Sequence, residues 1–356
     1  MDSLRRNVNK QRLIRFIEII CIAFGLAFIL FFLTGNLRYR VPTAINKHLK
    51  SWHGWENIEY MFVFGDSFST TSFNPHDIQP NIDNPFGNPP FPEGVESGGP
   101  NWVHFSTATY NKSFIRTYNL AVGAGTVDRG IIAPFFDYSR SLNQQIPEVF
   151  LPLYANPVSR GPTIPTWQAH NTLFALFYGV NDIAMASRKL SGPTPSGAIF
   201  ASYAGAIETM YQAGARNFLF VNVPPLDRAP QGMEVSASAS DILDWNARLA
   251  ALRQHLTATY SDMTTFVFDF YGLFDRILKY PQQFEQTRQI KNTTNWCFEY
   301  IMGTPEWHTL IPSCNIPVSE YFWENDLHPT WPVHNATAAT IIEDCFGKRG
   351  PKGFCS

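Results

Sequence analysis

The sequence predicts an α/β fold in which a parallel sheet of five strands lies between layers of helices. The order of the sequence patterns carries this prediction. Short apolar and β-branched runs alternate along the chain with patterns typical of helices, and such alternation favours parallel strands joined by helical crossovers. The predicted strands are residues 60–64, 117–122, 172–178, 217–223 and 265–268.

Two of the helices between these strands have clear boundaries in the sequence. Residues 241–260 carry apolar side chains at spacings of three and four, which predicts a helix with one buried face and with Ser240 as its N-cap. Residues 197–213 form a second helical pattern, and Gly214 is the residue expected just beyond a helix end.

Composition restricts the classes of function. The chain has 356 residues, 45% of them hydrophobic, which is enough for one large core without a second domain. A net charge of −2 gives no electrostatic reason to expect a nucleic-acid partner. The chain lacks HExxH, paired CxxC and glycine-rich phosphate-loop motifs, so neither a metal nor a cofactor is expected.

The N-terminal segment predicts a membrane anchor. Residues 16–33 are nearly all apolar and follow several basic residues, and an 18-residue helix spans about 27 Å. The run exceeds the core of most signal peptides, and no small-residue cleavage site follows it, so an uncleaved anchor is favoured over secretion after cleavage. The resulting organisation is a cytoplasmic tail (1–12), a transmembrane signal anchor (13–33), a stem (34–57) and one domain (58–356).

Cysteines and glycan acceptors agree with a lumenal or extracellular domain of a single-pass type II protein in the secretory pathway. Four cysteines near the C-terminus suit two disulfides, and pairing over the shortest loops joins Cys297 to Cys314 and Cys345 to Cys355. The acceptor sequons for glycans begin at Asn111, Asn292 and Asn335.

Ser67 follows the first predicted strand directly, in Gly65-Asp66-Ser67. Ligands bind at the carboxyl ends of strands in open α/β sheets, so this position suits a nucleophile. A serine hydroxyl needs a base within hydrogen-bond reach and donors for the oxyanion. The candidate base is His328, and the candidate oxyanion donors, which follow two other strands, are the Asn181 amide and the N–H groups of Gly123 and Ala124.

At these residues the chain resembles the GDSL (SGNH) hydrolases, whose four motif blocks carry Ser, Gly, Asn and His in this order. Stretches at 84–90, 99–102, 118–122, 222–228 and 321–323 are most similar to fungal GDSL acetylesterases that act on carbohydrates. The resemblance covers about residues 58–346. It implies a flavodoxin-like three-layer α/β/α sandwich, with Ser67 as nucleophile and first oxyanion donor.

The same resemblance makes His328 the general base and Asn181 an oxyanion donor, and it places Ala124 where relatives have a glycine. The family also has an acid three residues before the histidine. Here that position is Asn325, and Asp326 follows it. Both are rival third members, with Asp326 preferred on chemical grounds because only a carboxylate carries a full charge.

The expected function is hydrolysis of a carboxylic ester, most specifically the removal of acetyl groups from carbohydrates through an acyl-enzyme. The expected partners are a small ester or acetylated sugar and, through the N-terminal helix, a membrane. Two alternatives remain open. One is a lumenal carbohydrate O-acyltransferase, and the other is a catalytically weakened glycan-binding protein, suggested by Asn325 and Ala124 at the usual acid and glycine positions.

Overall fold

The computed structural model describes residues 50–155, 166–189, 193–230, 238–302 and 306–356. The strands are β1 (Tyr60–Gly65), β2 (Arg116–Asn119), β3 (Thr172–Phe177), β4 (Asn217–Val221) and β5 (Thr264–Phe268). All neighbouring pairs are parallel, and the order across the sheet is β2-β1-β3-β4-β5. This is the doubly wound, flavodoxin-like order. The predicted five-stranded parallel sheet is therefore confirmed.

The predicted strand boundaries agree with the observed ones to within two residues, except at the end of β2. The sequence predicts that this strand continues to residue 122, whereas β2 ends at Asn119. The Asn119 Oδ1 atom accepts a hydrogen bond from the Ala121 backbone N–H at 3.2 Å. The chain still bonds to β1 beyond the end of the strand, because the N–H groups of Leu120 and Val122 donate to the Val63 and Gly65 carbonyls at 2.7 and 3.0 Å.

The described part of the chain contains seven α-helical segments. They are α1 (Trp102–Ala108), α2 (Leu142–Gln144), α3 (Val180–Lys189), α4 (Ser196–Gln212), α5 (Ala239–Thr259), α6 (Phe270–Lys279) and α7 (Trp331–Thr340). Helix α2 continues as the π-helical segment Gln145–Ala155, and α7 continues as the π-helical segment Ile341–Cys345. Short 3-10 helices are Trp55–Asn57, Leu226–Arg228, Pro281–Gln283, Glu285–Thr287, Phe298–Met302, Pro312–Cys314 and Val318–Glu320.

Both predicted helices are present, with one correction at the start of α5. The N-cap is Ser238 and not Ser240, because the Ser238 hydroxyl accepts the Asp241 backbone N–H at 3.1 Å and Ser240 already lies in the first turn. The predicted apolar face of α5 is buried. Beyond α4, Gly214 has a φ of +108°, as a glycine at a helix end requires.

The helices pack in two layers. Helix α7 contacts α1 and α6, and helix α4 contacts α2 and α5. Right-handed crossovers place helices on opposite faces when the strand order reverses direction at β1, and this gives the three-layer sandwich. The sheet centre is aromatic: Phe62 stacks on Tyr118 and on Phe174, with ring centroids 5.0 and 5.4 Å apart.

Both outer strands of the sheet bond to further chain segments. On β2, the Thr117 N–H donates to the Pro85 carbonyl at 2.9 Å. On β5, Val267 and Ser356 exchange two backbone hydrogen bonds of 2.9 and 3.0 Å. The long loop after Ser67 and the C-terminal residues thus lie along the two opposite edges of the sheet.

The predicted tail, anchor and stem up to residue 49 lie outside the described residues. The last residues of the predicted stem are part of the domain: Trp55 is 2% exposed and stacks on Phe346 with centroids 5.0 Å apart. Every helix within the described ranges is too short or too polar to cross a bilayer.

The structure contains both disulfides that the shortest-loop argument predicts, Cys297–Cys314 and Cys345–Cys355. The three sequon asparagines are partly exposed. Asn335 lies within α7, and its Oδ1 atom accepts a hydrogen bond from the Tyr110 hydroxyl at 2.7 Å.

Candidate active site

Ser67 lies at the carboxyl end of β1, where the chain makes a tight turn. The Oδ1 atom of the Asp66 carboxyl group accepts the Phe68 N–H at 3.0 Å, and the Asp66 backbone carbonyl accepts the N–H groups of Ser69 and Thr70 at 3.1 and 2.9 Å. These bonds satisfy the backbone immediately after the strand. The Ser67 N–H has no protein acceptor among the described residues and remains free to donate to a ligand.

The structure brings Ser67 and His328 together although they are 261 residues apart in the chain. The distance from His328 Nε2 to Ser67 Oγ is 2.7 Å, and both residues are buried. His328 lies in a short loop whose ends are joined by the Trp323–Pro329 bridge and by a 2.8 Å bond from the Glu324 N–H to the His328 carbonyl. The sequence-predicted nucleophile and base are therefore within hydrogen-bond distance.

The other ring nitrogen of His328 contacts Asn325. Asn325 Oδ1 is 3.0 Å from His328 Nδ1, and it also accepts the N–H groups of Leu327 and His328 at 2.9 and 2.8 Å. An amide oxygen only accepts, so this network assigns the ring proton to Nδ1. Nε2 is then unprotonated and faces the Ser67 hydroxyl, as a general base requires.

Of the two rivals for the third position, the structure places Asn325 and not Asp326 against the imidazole. Asp326 lines the same cleft but forms no hydrogen bond or ion pair with His328 among the described residues. The chemical preference for Asp326 thus disagrees with the geometry. The reason is the turn itself: the Asn325 side chain folds back onto the N–H groups of residues 327 and 328 and so reaches Nδ1.

A carboxylate that sequence analysis missed lies beside the same nitrogen. Glu96 Oε2 is 3.4 Å from His328 Nδ1, and the Glu96 side chain is 47% exposed. Glu96 belongs to the Pro- and Gly-rich loop that follows the nucleophile, far from His328 in sequence. No spacing rule relates the two positions; the loop's position directly after Ser67 was the only signal in the sequence.

Asn181 lies at the second residue of α3 and faces the same cleft. Its Nδ2 group donates to Asp66 Oδ2 at 3.1 Å and to the Gly125 carbonyl at 3.3 Å. The preceding Gly179 has a φ of +121°, and a Cβ atom there would lie 2.4 Å from the rings and methyls of Trp245 and Val223. Only glycine fits, so the start of α3 and the position of Asn181 depend on it.

Gly123 and Ala124 line the same cleft as Asn181. Neither N–H has a protein acceptor among the described residues. Ala124 has a φ of +62°, in the left-handed region that favours glycine. Ala124 therefore adopts the backbone conformation that a glycine would adopt at this position.

These residues meet at the bottom of a cleft of about 890 Å³. Residues 91–96 of the long loop form one wall, and exposed aromatic rings lie along the rim. Phe135 and Phe136 are 56% and 43% exposed, and Phe91 is 44% exposed. The volume far exceeds that of an acetyl group, so the cleft has room for the alcohol part of an ester.

Burial changes the ionisation of the site. Desolvation lowers the pKa of His328, and the nearby charges of Glu96 and then Asp326 oppose this effect. Desolvation raises the pKa of Asp66 to about 8, and Asp182 and Glu96 add to the rise. A lowered pKa keeps His328 neutral, in the form that accepts a proton.

One group of three potential metal ligands occurs within the described ranges. It consists of Cys297, Glu299 and Cys314. The two cysteines are joined in a disulfide, so neither offers a thiolate for coordination.

The chain is similar to known proteins over most of its length. The GDSL-like Lipase/Acylhydrolase family matches residues 61–339. An acetylesterase from Thermothelomyces thermophilus is 28% identical over 294 residues, which cover 80% of this chain and 87% of the relative. A thermolabile hemolysin from Vibrio parahaemolyticus is 24% identical over 302 residues, covering 81% of this chain and 64% of the hemolysin.

Among solved structures, an acetylxylan esterase from Geobacillus stearothermophilus matches with a TM-score of 0.45 and 12% identity, covering 80% of this chain and 93% of the other. The family match spans most of the chain and includes all four motif blocks around the cleft. The chain belongs to the GDSL-like lipase/acylhydrolase family, and it is a serine esterase that acts on ester bonds.

Proposed function

We propose that this protein is an acetylesterase that removes O-acetyl groups from carbohydrates through a Ser67 acyl-enzyme. The observation that carries the proposal is the 2.7 Å contact between Ser67 Oγ and His328 Nε2 at the bottom of an open cleft. A relative named acetylesterase, matched over 80% of this chain, supports acetyl as the acyl group that is removed.

In the proposed reaction, Ser67 Oγ attacks the acetyl carbonyl carbon while its proton passes to His328 Nε2. The tetrahedral intermediate collapses when His328 gives this proton to the sugar oxygen and the ester C–O bond breaks. Water then attacks the acyl-enzyme and gives its proton to His328. Ser67 leaves with that proton, and acetate is released.

The oxyanion of both intermediates needs donors near Ser67. The free N–H groups of Ser67 and Ala124 and the Asn181 amide suit this role. Asn181 exchanges its longer bond, 3.3 Å to the Gly125 carbonyl, for the oxyanion and keeps its bond to Asp66. Asp66 thereby holds the amide in place during the reaction.

The carbohydrate part of the proposal is supported by the rim of the cleft. Exposed rings of Phe135, Phe136 and Phe91 offer flat apolar faces, and the carboxylates of Glu93 and Glu306 offer acceptors for hydroxyl groups. A sugar presents both kinds of surface. A long acyl chain would leave the acidic groups without partners.

The test is release of acetate by the domain spanning residues 50–356 from 4-nitrophenyl acetate and from acetylated xylo-oligosaccharides. Ser67→Ala is expected to lower kcat at least about 1,000-fold, because the nucleophile is lost. The control is Ser261→Ala, at an exposed turn between α5 and β5. Retained activity in Ser67→Ala, or a preference for esters of long fatty acids, would contradict the proposal.

The two alternatives have less support. A weakened binding protein is not favoured, because nucleophile, base and free N–H donors occur together in the cleft. Transfer of the acyl group to a sugar needs the same groups, so nothing in their geometry favours it over hydrolysis. Adding an unacetylated sugar acceptor to the acetate assay would reveal transfer as a newly acetylated sugar.

A further inference from the structure

We propose that Glu96, from the loop after the nucleophile, is the carboxylate that supports His328, while Asn325 only orients the ring. This inference rests on the proposed function of Ser67 and His328. It assigns to a residue of the long loop the role that the family gives to the acid three residues before the histidine. Glu96 is a positioning residue, since it acts through His328.

The contacts at His328 Nδ1 carry the argument. Asn325 Oδ1 is 3.0 Å away and Glu96 Oε2 is 3.4 Å away. Asn325 is neutral and therefore fixes the tautomer without stabilising a positive ring. When His328 takes the Ser67 proton, the nearest negative charge among the described residues is on Glu96. A carboxylate at this distance favours the imidazolium that forms.

The backbone around Glu96 is held in place beside His328. The neighbouring Ser97 is 1% exposed, and its carbonyl accepts the Trp331 N–H at 2.7 Å. Trp331 begins α7, three residues after His328. The Ser97 hydroxyl also donates to the Gly99 carbonyl at 2.6 Å. The loop and the histidine segment thus form one bonded unit, so the Glu96 carboxylate is not a chance neighbour.

Other titratable groups near His328 do not fit this role. Asp326 raises the pKa of His328 less than Glu96 does and forms no hydrogen bond or ion pair with it among the described residues. His334 is buried, with its pKa lowered to about 3 by desolvation, so it is neutral. Glu324 lies at the start of the histidine loop, but burial raises its pKa to about 8, so it is mostly protonated at neutral pH.

The experiment compares Glu96→Gln, Asn325→Asp and their combination, with acetate release measured from pH 4 to 9. Glu96→Gln is expected to lower kcat about 10- to 100-fold with little change in KM, because charge support for the imidazolium is lost. The acid limb of the curve of kcat against pH shifts to lower pH in Glu96→Gln, because removing a negative charge lowers the pKa of His328. The melting temperature stays unchanged, since the side chain is half exposed.

Rescue separates support of His328 from a purely structural role. In the Glu96→Gln background, Asn325→Asp places a carboxylate 3.0 Å from the same Nδ1 atom and is expected to restore at least about a third of the lost kcat. The control is Asp83→Asn, which removes one exposed negative charge from the same loop away from the cleft. It should change neither kcat nor the acid limb.

Two outcomes would overturn the inference. In the first, Glu96→Gln keeps kcat and the acid limb within twofold of the parent enzyme. In the second, kcat falls but the acid limb stays in place and Asn325→Asp gives no rescue, which would make Glu96 a part of the cleft wall. Failure of the proposed function looks different, because the parent enzyme would then release no acetate and Ser67→Ala would change nothing.

Discussion

Ala124 occupies a backbone conformation with a φ of +62°, and the adjacent Gly125 does not have a positive φ. The glycine at 125 serves a different purpose. A Cβ atom there would lie 3.0 Å from the carbonyl oxygens of Gly65 and Val122. In this Gly-Ala-Gly segment, the strained position and the crowded position are therefore neighbours, and glycine occupies the crowded one.

Substitutions at these two positions should have opposite effects on stability. Ala124→Gly is expected to raise the free energy of unfolding by up to about 1 kcal/mol. A left-handed φ costs an L-residue about 1–2 kcal/mol, and the greater entropy of glycine in the unfolded chain offsets part of the gain from removing this cost. Gly125→Ala should lower it by about 1–3 kcal/mol through overpacking. Urea unfolding measures both, and a destabilised Ala124→Gly would contradict this account.

At the residue scale, sequence reasoning identified the residues whose positions follow from strand ends and short motifs. Ser67 and Asn181 each follow a strand, and the structure places them in one cleft. The partner of His328 Nδ1 was decided by a local turn around Asn325 Oδ1, which residue types alone do not reveal. Glu96 reaches His328 only because a loop folds back, and long-range contacts of this kind leave no local pattern.

At the element scale, the two disulfides brace different parts of the molecule. Cys297–Cys314 closes a segment with a sequence separation of 17, and Ile301, Glu306 and Trp307 within it line the cleft. Cys345–Cys355 has a separation of 10 and joins the end of α7's π-helical extension to the segment beside β5. Only the first disulfide supports a wall of the cleft.

Replacing each cysteine pair by serine should separate these roles. Loss of either disulfide is expected to lower the free energy of unfolding by about 2–3 kcal/mol through loop entropy. Only the Cys297/Cys314 double variant should raise KM for acetylated oligosaccharides, by about threefold to tenfold, because its cleft wall loosens. Steady-state kinetics beside thermal unfolding tests this. An equal rise in KM in both variants would refute the distinction.

Elements were predicted well wherever apolar periodicity was strong. The buried strands and the face of α5 agree with the sequence because burial on the sheet determines which residues are apolar. The start of α5 differs from the prediction because one side-chain hydrogen bond, from the Asp241 N–H to the Ser238 hydroxyl, decides it. The predicted anchor at residues 13–33 remains a proposal.

At the scale of the whole molecule, buried carboxyl groups and buried histidines make the stability depend on pH in opposite directions. Desolvation raises the pKa of Asp66, Asp182 and Glu324 to about 8, 7 and 8. It lowers the pKa of His104 and His334 to about 3 and also lowers that of His328. The folded state therefore holds protons on carboxyl groups and excludes them from histidines.

This arrangement predicts maximal stability between about pH 4.5 and 6.5. Above that window the unfolded carboxyls are ionised while the folded ones keep protons, so stability falls with rising pH until about pH 8. Below it the unfolded histidines bind protons that the folded ones exclude, so stability falls with falling pH. In the window the two effects largely cancel. Compared with the folded state at the same pH, the unfolded state binds fewer protons on these carboxyl groups and more protons on these histidines.

Melting temperatures measured from pH 3 to 9 test this prediction. Glu324→Gln should flatten the alkaline decline by at most about 1.4 kcal/mol per pH unit, because one titrating group is removed. Asp244→Asn is the control: its interaction with Arg248 lowers the pKa of Asp244, so this group titrates only at acidic pH. A stability that rises steadily up to pH 9 would contradict the assigned ionisation states.

The bonds along β2 and β5 have a consequence for how copies of this domain meet in solution. A bare outer strand offers a row of backbone donors and acceptors to which a strand of another molecule can add. Here Pro85 occupies part of that row on β2, and Ser356 occupies part of it on β5. At these positions the domain is protected against aggregation by strand addition, and trimming the last few residues would expose one of the two sites.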